Sequence, residues 1–231
     1  MPWDVLTDEQ RELRDLVRQL ARERIAPRAA EIDASHEFPW DVVELFREND
    51  IFGLFFAEEY GGLGTGTLLS LIAIEEVGKV CATSALILAV QELGSLGLKL
   101  AGSDEQKERY LPRFASGEWL PAYALTESGS GSDSAAMRTT ARREGDEYVL
   151  DGSKRFITNA GVANLYTVFA KTDPDAGHSG ISAFVVEADT PGFAVARLEP
   201  KMGISGSTTG EIPSSVTRSG SSSPSVVRGF T

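Results

Sequence analysis

Apolar residues recur at helical spacing from the first part of the chain onward. In DEQRELRDLVRQLARERIAP, Leu13, Leu16, Val17, Leu20 and Ile25 follow a 3.6-residue period, which predicts a helix. Thr7 and Gln10 precede and open it in capping-box positions, and Pro27 marks its end or a kink. Pro39 opens a second helix, WDVVELFREND, with Val42, Val43, Leu45 and Phe46 on its inner side. The glycines of EEYGGLGTGT predict a loop with unusual backbone angles. Leu68 to about Ala101 is long and largely apolar, with interruptions near Gly78 and again at Gly94 and Gly97. It reads as two helices buried in a bundle. Ser103 and Gln106 repeat the capping-box pattern for DEQKERYLPRFASG, which stops near Gly117.

After Trp119 the pattern changes. AYALT, EYVLDGSKRFIT, NLYTVFAKT, GISAFVVEA and GFAVARLEP are short segments rich in Val, Tyr, Phe, Ile and Thr, separated by turn residues. Asp151-Gly152 predicts a hairpin between YVL and KRFIT. The fold class is therefore α+β. A helical bundle over residues 1–120 is followed by a small antiparallel β-sheet or β-barrel over 121–212. The serine-rich remainder, 213–231, lacks periodicity and reads as an irregular tail.

Composition narrows the function without choosing it. Of 231 residues, 42% are hydrophobic and 24% charged, ordinary for a globular chain. A net charge of -12 argues against a nucleic-acid or anionic-membrane binder, which needs a basic footprint. The single cysteine, Cys81 in GKVCATSALIL, cannot form an internal disulfide and reads as a buried thiol inside a helix. MPWDVLTDEQRELRDL lacks the apolar core of a signal peptide, and no apolar run is expected to span a membrane. A cytoplasmic location is the expectation. His36 and His178 have no Cys, Asp or Glu at ligand spacing, so no metal site is expected.

The chemistry concentrates in AYALTESGSGSDS, residues 122–134. With Ala122 to Thr126 as a strand, Glu127 to Ser132 is a loop whose backbone Gly129 and Gly131 set free. Its peptide N–H groups and the hydroxyls of Thr126, Ser130 and Ser132 can face an anionic ligand. It is neither a Rossmann fingerprint, lacking the third glycine, nor a Walker loop, lacking Gly-Lys-Thr or Gly-Lys-Ser. The serines have no histidine partner or nucleophile elbow, which disfavours a hydrolase. Glu127 reads as a loop anchor that accepts hydrogen bonds or pairs with an arginine, and Asp133 as a loop or cap acceptor. The residues by themselves leave a mobile loop as open as a cofactor wall. Tyr123, Leu125, Phe156 and Ile157 fit a core equally well, and Thr126 and Thr158 could serve strand ends.

A resemblance tips that balance. TESGSGSD, EYVLDGSKRFITNAGVANLYTVFAKT and KMGISGSTTGE resemble the middle domain of the acyl-CoA dehydrogenases. EEYGGLG and DEQKERYLPRFASGEW resemble that family's N-terminal helical domain, in the same order. The resemblance runs from Thr7 to Ile212 and implies FAD as cofactor and an acyl-CoA thioester as substrate. It also implies electron-transferring flavoprotein as redox partner, and a homo-oligomer, usually a tetramer, for the complete protein. Tyr123 to Ser132, including Leu125, Thr126 and Gly131, would run along the flavin, and Ser132 would also face the CoA part of the thioester. Phe156, Ile157 and Thr158 would lie against the other flavin face, Phe156 standing where many members have tryptophan. The family's catalytic glutamate lies in a C-terminal helical domain beyond the matched part, so no catalytic residue is named. The expected state is a truncated chain, inactive alone. A non-catalytic flavin or CoA module, and below it a flavin-dependent monooxygenase or oxidase, are the alternatives. RGF at 228–230 again resembles the family, as a compensated frame shift between about Pro213 and Arg228 would produce.

Overall fold

The computed structural model describes residues 6–145, 147–219 and 226–228. It divides into two compact units. One comprises Met1–Ala89, Ala115–Gly117 and Lys201–Ser207; the other comprises Val90–Phe114, Glu118–Pro200 and Thr208–Thr231.

The first unit is helical. α1 (Asp8–Leu20) starts at a complete capping box, with the Thr7 hydroxyl accepting from Gln10 N–H and the Gln10 side chain accepting from Thr7 N–H. Pro27 does not stop the chain. A π turn, Ala21–Ile25, and a 3-10 turn, Ala26–Arg28, carry the helical path through it into α2 (Ala29–Ser35). The π turn lets Ala26 N–H reach back to Ala21 O while proline, which has no N–H, sits at the start of the next turn. α3 (Trp40–Glu48) buries Val42, Val43, Leu45 and Phe46, as its periodicity predicts. α4 (Gly66–Gly78) buries Glu76, which accepts from Arg18 at 2.9 and 3.0 Å and from Lys79 at 2.8 Å. Arg18 outweighs burial and, with Lys79, holds this carboxyl at about 2 against an ordinary 4.5. Cys81 is buried, but in the short connection after α4 rather than inside a helix.

α5 (Ala82–Ala101) runs without a break through Gly94 and Gly97. The predicted interruptions are instead points of close approach. A Cβ on Gly94 would stand 2.7 Å from Pro121 Cβ, and one on Gly97 would stand 3.2 Å from Thr167 Cγ2. Among the described helices, α5 is the one long and apolar enough to cross a membrane, contrary to expectation, although 56% of its most apolar window is buried in the protein. Gln91 and Ser95 in its middle are fully buried. Gln91 Nε2 donates to Phe114 O and Trp119 O at 2.7 and 3.1 Å. α6 (Asp104–Ala115) opens on the predicted Ser103–Gln106 box.

Among the described residues the sheet has eight strands and is mixed, not purely antiparallel. β1 (Pro121–Ala124) lies parallel to β4 (Leu165–Lys171), whose end also pairs in parallel with β2 (Thr140–Glu144). β3 (Glu147–Thr158) is antiparallel to β2 and β7 (Thr209–Ser219), and β6 (Arg197–Leu198) borders β7. β5 (Ile181–Glu187) joins β4 to β8 (Val226–Arg228). Its core gathers Ala122, Ala124, Leu150, Ile157, Tyr166, Val168, Phe184 and Ile212.

Two expectations fail here. Asp151-Gly152 makes no hairpin, because β3 continues straight through it. The glycine is needed for clearance, since a Cβ there would lie 2.7 Å from Thr139 Cα. Nor is the tail irregular from residue 213: β7 continues to Ser219 on the open edge of β3, where Tyr148 to Ser153 supply ladder partners. Ladder hydrogen bonds use backbone only, so a serine-rich segment can complete them without an apolar pattern. Gly229 and Phe230 of the RGF motif lie outside the described residues.

Candidate functional site

The second unit brings the end of β1 and the end of β3 together. Beyond Ala124 the chain leaves the sheet, and the Arg155 N–H donates to Thr126 O at 2.8 Å. Lys154 Nζ donates to Leu125 O at 3.1 Å. Asn159 Nδ2 donates to Pro121 O at 3.0 Å from a left-handed backbone, φ 65°. The opening loop and the KRFITN strand thus form one stitched edge.

Glu127 is the anchor. It is buried, and its carboxylate accepts from Arg138 N–H (2.7 Å), Thr139 N–H (3.0 Å), the Thr139 hydroxyl and Lys154 Nζ (2.8 Å). Its ion-pair partner is therefore a lysine, not an arginine. Burial opposes its ionisation, but Lys154, Thr139 and the backbone donors outweigh burial and hold the carboxyl at about 2. Burial pulls the Lys154 ammonium below its ordinary value and Glu127 pulls it back. With four donors securing it, the Glu127 carboxylate is ionised at neutral pH. Since the folded pKa lies below the ordinary 4.5, the stability Glu127 contributes is complete above that value. It is lost as pH falls from there toward 2. Acid titration followed by Trp119 fluorescence should show a transition in this range, and Glu127→Gln should flatten it.

The loop itself is ordered. Glu127 N–H and Ser130 O pair at 2.9 Å, Ser130 N–H and Glu127 O at 3.2 Å, closing a turn over Ser128 and Gly129. Ser130 is buried and its hydroxyl donates to Asp133 O, which removes it from the predicted ligand-facing set. Asp133 serves through this carbonyl, not through a side-chain cap.

The remaining candidates divide clearly. The hydroxyls of Thr126, Ser132 and Thr158 have no partner among the described residues. Open space surrounds Gly129 and Gly131, where an added Cβ would meet nothing within 4 Å. Leu125 is half-buried. Phe156 projects outward, 57% exposed, from a left-handed backbone with φ 58°. Ile157 is 1% exposed and belongs to the sheet core, so only its backbone is accessible to a ligand. Tyr123 is half-buried against Phe169, ring centroids 4.9 Å apart. The Thr208 hydroxyl is enclosed without a hydrogen-bond partner, and Thr208 O accepts from Asn159 N–H at 3.0 Å. An exposed aromatic face beside unpaired hydroxyls suits a planar polar ring system.

Sequence reasoning missed Lys154, Asn159 and Thr208. Lys154 carried a readable signal: strand alternation places it on the face of Leu150, where a buried ammonium demands a carboxylate. Asn159 carried none, because its role depends on β1 lying alongside.

The model of the acyl-CoA dehydrogenase N-terminal domain matches residues 7–118, and that of the acyl-CoA dehydrogenase middle domain matches residues 122–215. The chain belongs to the acyl-CoA dehydrogenase family. It is 47% identical over 208 residues to the cyclohex-1-ene-1-carbonyl-CoA dehydrogenase of Syntrophus aciditrophicus, covering 90% of this chain and 50% of that protein. A glutaryl-coenzyme A dehydrogenase solved with glutaryl-CoA superimposes with TM-score 0.92 at 33% identity, covering 97% and 57% of the two chains. The Mycobacterium smegmatis glutaryl-CoA dehydrogenase in complex with FADH2 gives TM-score 0.85 at 32% identity, covering 92% and 54%. The chain spans about half the length of the curated relatives it matches. The matched part corresponds to the N-terminal and middle domains of that family.

Proposed function

We propose that this chain forms the flavin-side half of an enzyme that dehydrogenates an acyl-CoA thioester across its α,β bond. The observation that carries this is the tie of Arg155 N–H to Thr126 O, which joins the loop to the strand carrying the exposed Phe156 ring, with the Thr126 and Thr158 hydroxyls unpaired among the described residues. Thr126, Thr158 and Phe156 would hold FAD, which would supply the acceptor for the β hydride, with a base for the α proton and electron-transferring flavoprotein as the onward electron acceptor.

The chain's own residues hold and orient. Thr126 and Thr158 offer hydrogen bonds to the polar edge of the ring, and Phe156 covers one face. Leu125, Gly131 and the Ile157 backbone shape the walls, and Tyr123 backs them. Ser132 lies where a phosphate or thioester-bearing arm would pass. The Glu127 carboxylate is not the base, because Lys154, Arg138 and Thr139 consume it. Glu199 and Glu211 are likewise held by arginines. The base therefore comes from outside these residues, in a homo-oligomeric, full-length protein.

The same paired carboxylates favour a second reading, in which this chain binds flavin or CoA without turnover. Anaerobic titration of the full-length protein with an acyl-CoA separates the two, because only the first reading expects the flavin to bleach there. The chain alone should bind FAD weakly and show no bleaching with a short or branched acyl-CoA. Bleaching by a thioester would exclude the inert module, and failure to bind any FAD at saturating concentration would overturn the flavin reading itself.

A further inference from the structure

Phe156 presents a mechanical problem. Its left-handed backbone, φ 58°, is disfavoured for a side chain of this size, and with its ring 57% exposed, packing cannot fix it. The register of β3 against β7 slips between Lys154 and Ile157, so Arg155 and Phe156 form a bulge outside the regular ladder. On the backbone side, that bulge is tied by the Arg155 N–H to Thr126 O.

On the side-chain side it is tied by charge. The Arg155 guanidinium stands 5.1 Å from the centroid of the Phe156 ring. Its Nη2 donates to Glu199 at 3.1 Å, while its Nε faces Glu211 at 3.9 Å, beyond hydrogen-bond reach and with no hydrogen-bond partner among the described residues. Arg197 bridges the same two acids, at 3.0 and 3.2 Å, closing a ring of alternating charges across β3, β6 and β7. Hydrogen bonds from Arg155 and Arg197 lower the Glu199 carboxyl below its ordinary value. A planar guanidinium bonded to one acid and facing a second keeps fewer orientations than an ammonium would.

We propose that Arg155 is a positioning residue. Hydrogen-bonded to Glu199, with Glu211 as a second nearby charge, it fixes the orientation of the Phe156 ring that would meet a bound flavin. This rests on the flavin reading. Nothing in the composition of the strand demanded an arginine there; the juxtaposition of bulge, ring and acids assigns its role.

The test compares the wild-type chain with Arg155→Ala and Arg155→Lys, titrated with FAD to saturation. Three readouts are taken: affinity, the visible circular dichroism of the bound flavin, and the urea unfolding midpoint. Arg155→Ala should weaken FAD about two- to fivefold, the equivalent of one exposed cation–π contact, and change the visible dichroic band. Arg155→Lys, which keeps a cation but not the planar fork, should recover part of both. A purely structural role would move the unfolding midpoint and leave the dichroic band of the bound flavin as it is, and that outcome overturns the proposal. So does unchanged affinity in Arg155→Ala. If the wild-type chain takes up no FAD, the flavin reading fails first and takes this inference with it.

Discussion

Lys154→Met should lose about 3–5 kcal/mol of stability, the penalty for leaving a buried carboxylate without its counter-ion. Lys154 and Glu127 side chains are 1% and 8% exposed, so water cannot compensate. Methionine fills much of the lysine's volume, which separates the loss of charge from the loss of packing. The companion variant is Lys154→Met with Glu127→Gln. Glutamine still accepts from Arg138 and Thr139 N–H, but no longer brings a buried charge, so the double variant should regain most of the loss. Urea unfolding followed by Trp119 fluorescence measures both. A single-variant loss of about 1 kcal/mol or less, the range of an exposed pair, would mean the ion pair is not the anchor of the opening loop.

Gly94→Val should be the second most damaging change. Two effects compete at this position. A residue with a Cβ gains up to about 1 kcal/mol of helix propensity over glycine in the middle of α5. Against that, the Cβ would lie 2.7 Å from Pro121 Cβ and 3.1 Å from Ala122 N, and backbone cannot step aside as a flexible side chain can. Overpacking of this kind costs about 1–3 kcal/mol, and valine adds a branch while gaining least in helix propensity. The Thr167 hydroxyl, which donates to Gly94 O at 2.7 Å, would also be displaced. Gly94→Ala should therefore be mildly destabilising and Gly94→Val severely so. Because β1 leads directly into Thr126, Gly94→Val should also weaken FAD binding. Thermal unfolding and FAD titration of the two variants check the order; an alanine variant more stable than the parent would refute the clash.

Much of the helical part was legible because its signals are local. Both capping boxes, the inner face of α3 and the change of pattern after Trp119 depend on residues a few positions apart. The misreadings share one cause. Gly94, Gly97 and Gly152 look like breaks when only neighbours in sequence are considered. Each is instead a place where a distant segment comes close: Pro121, Thr167 and Thr139 respectively. The serine-rich stretch looked irregular because alternation reports side-chain burial, whereas β7 pairs with β3 through its backbone. The parallel pairing of β1 with β4 was likewise invisible, since strand composition does not encode direction.

For the site, the motif residues and their order were in the chain, and with them the family. Their division of labour was not. Burial turned Ile157 inward and spent the Ser130 hydroxyl within its own loop. A bulge turned Phe156 outward, and only three strands side by side could surround Arg155 with Glu199 and Glu211.

What the primary structure settles is which segments carry the motifs, those around Thr126 and Thr158, because periodicity and motif are properties of near neighbours. Which atoms on that edge remain free is decided by long-range packing, through charges and carbonyls up to dozens of residues away. Coulombic and hydrogen-bond forces act on distance in space, and the linear chain does not contain that distance.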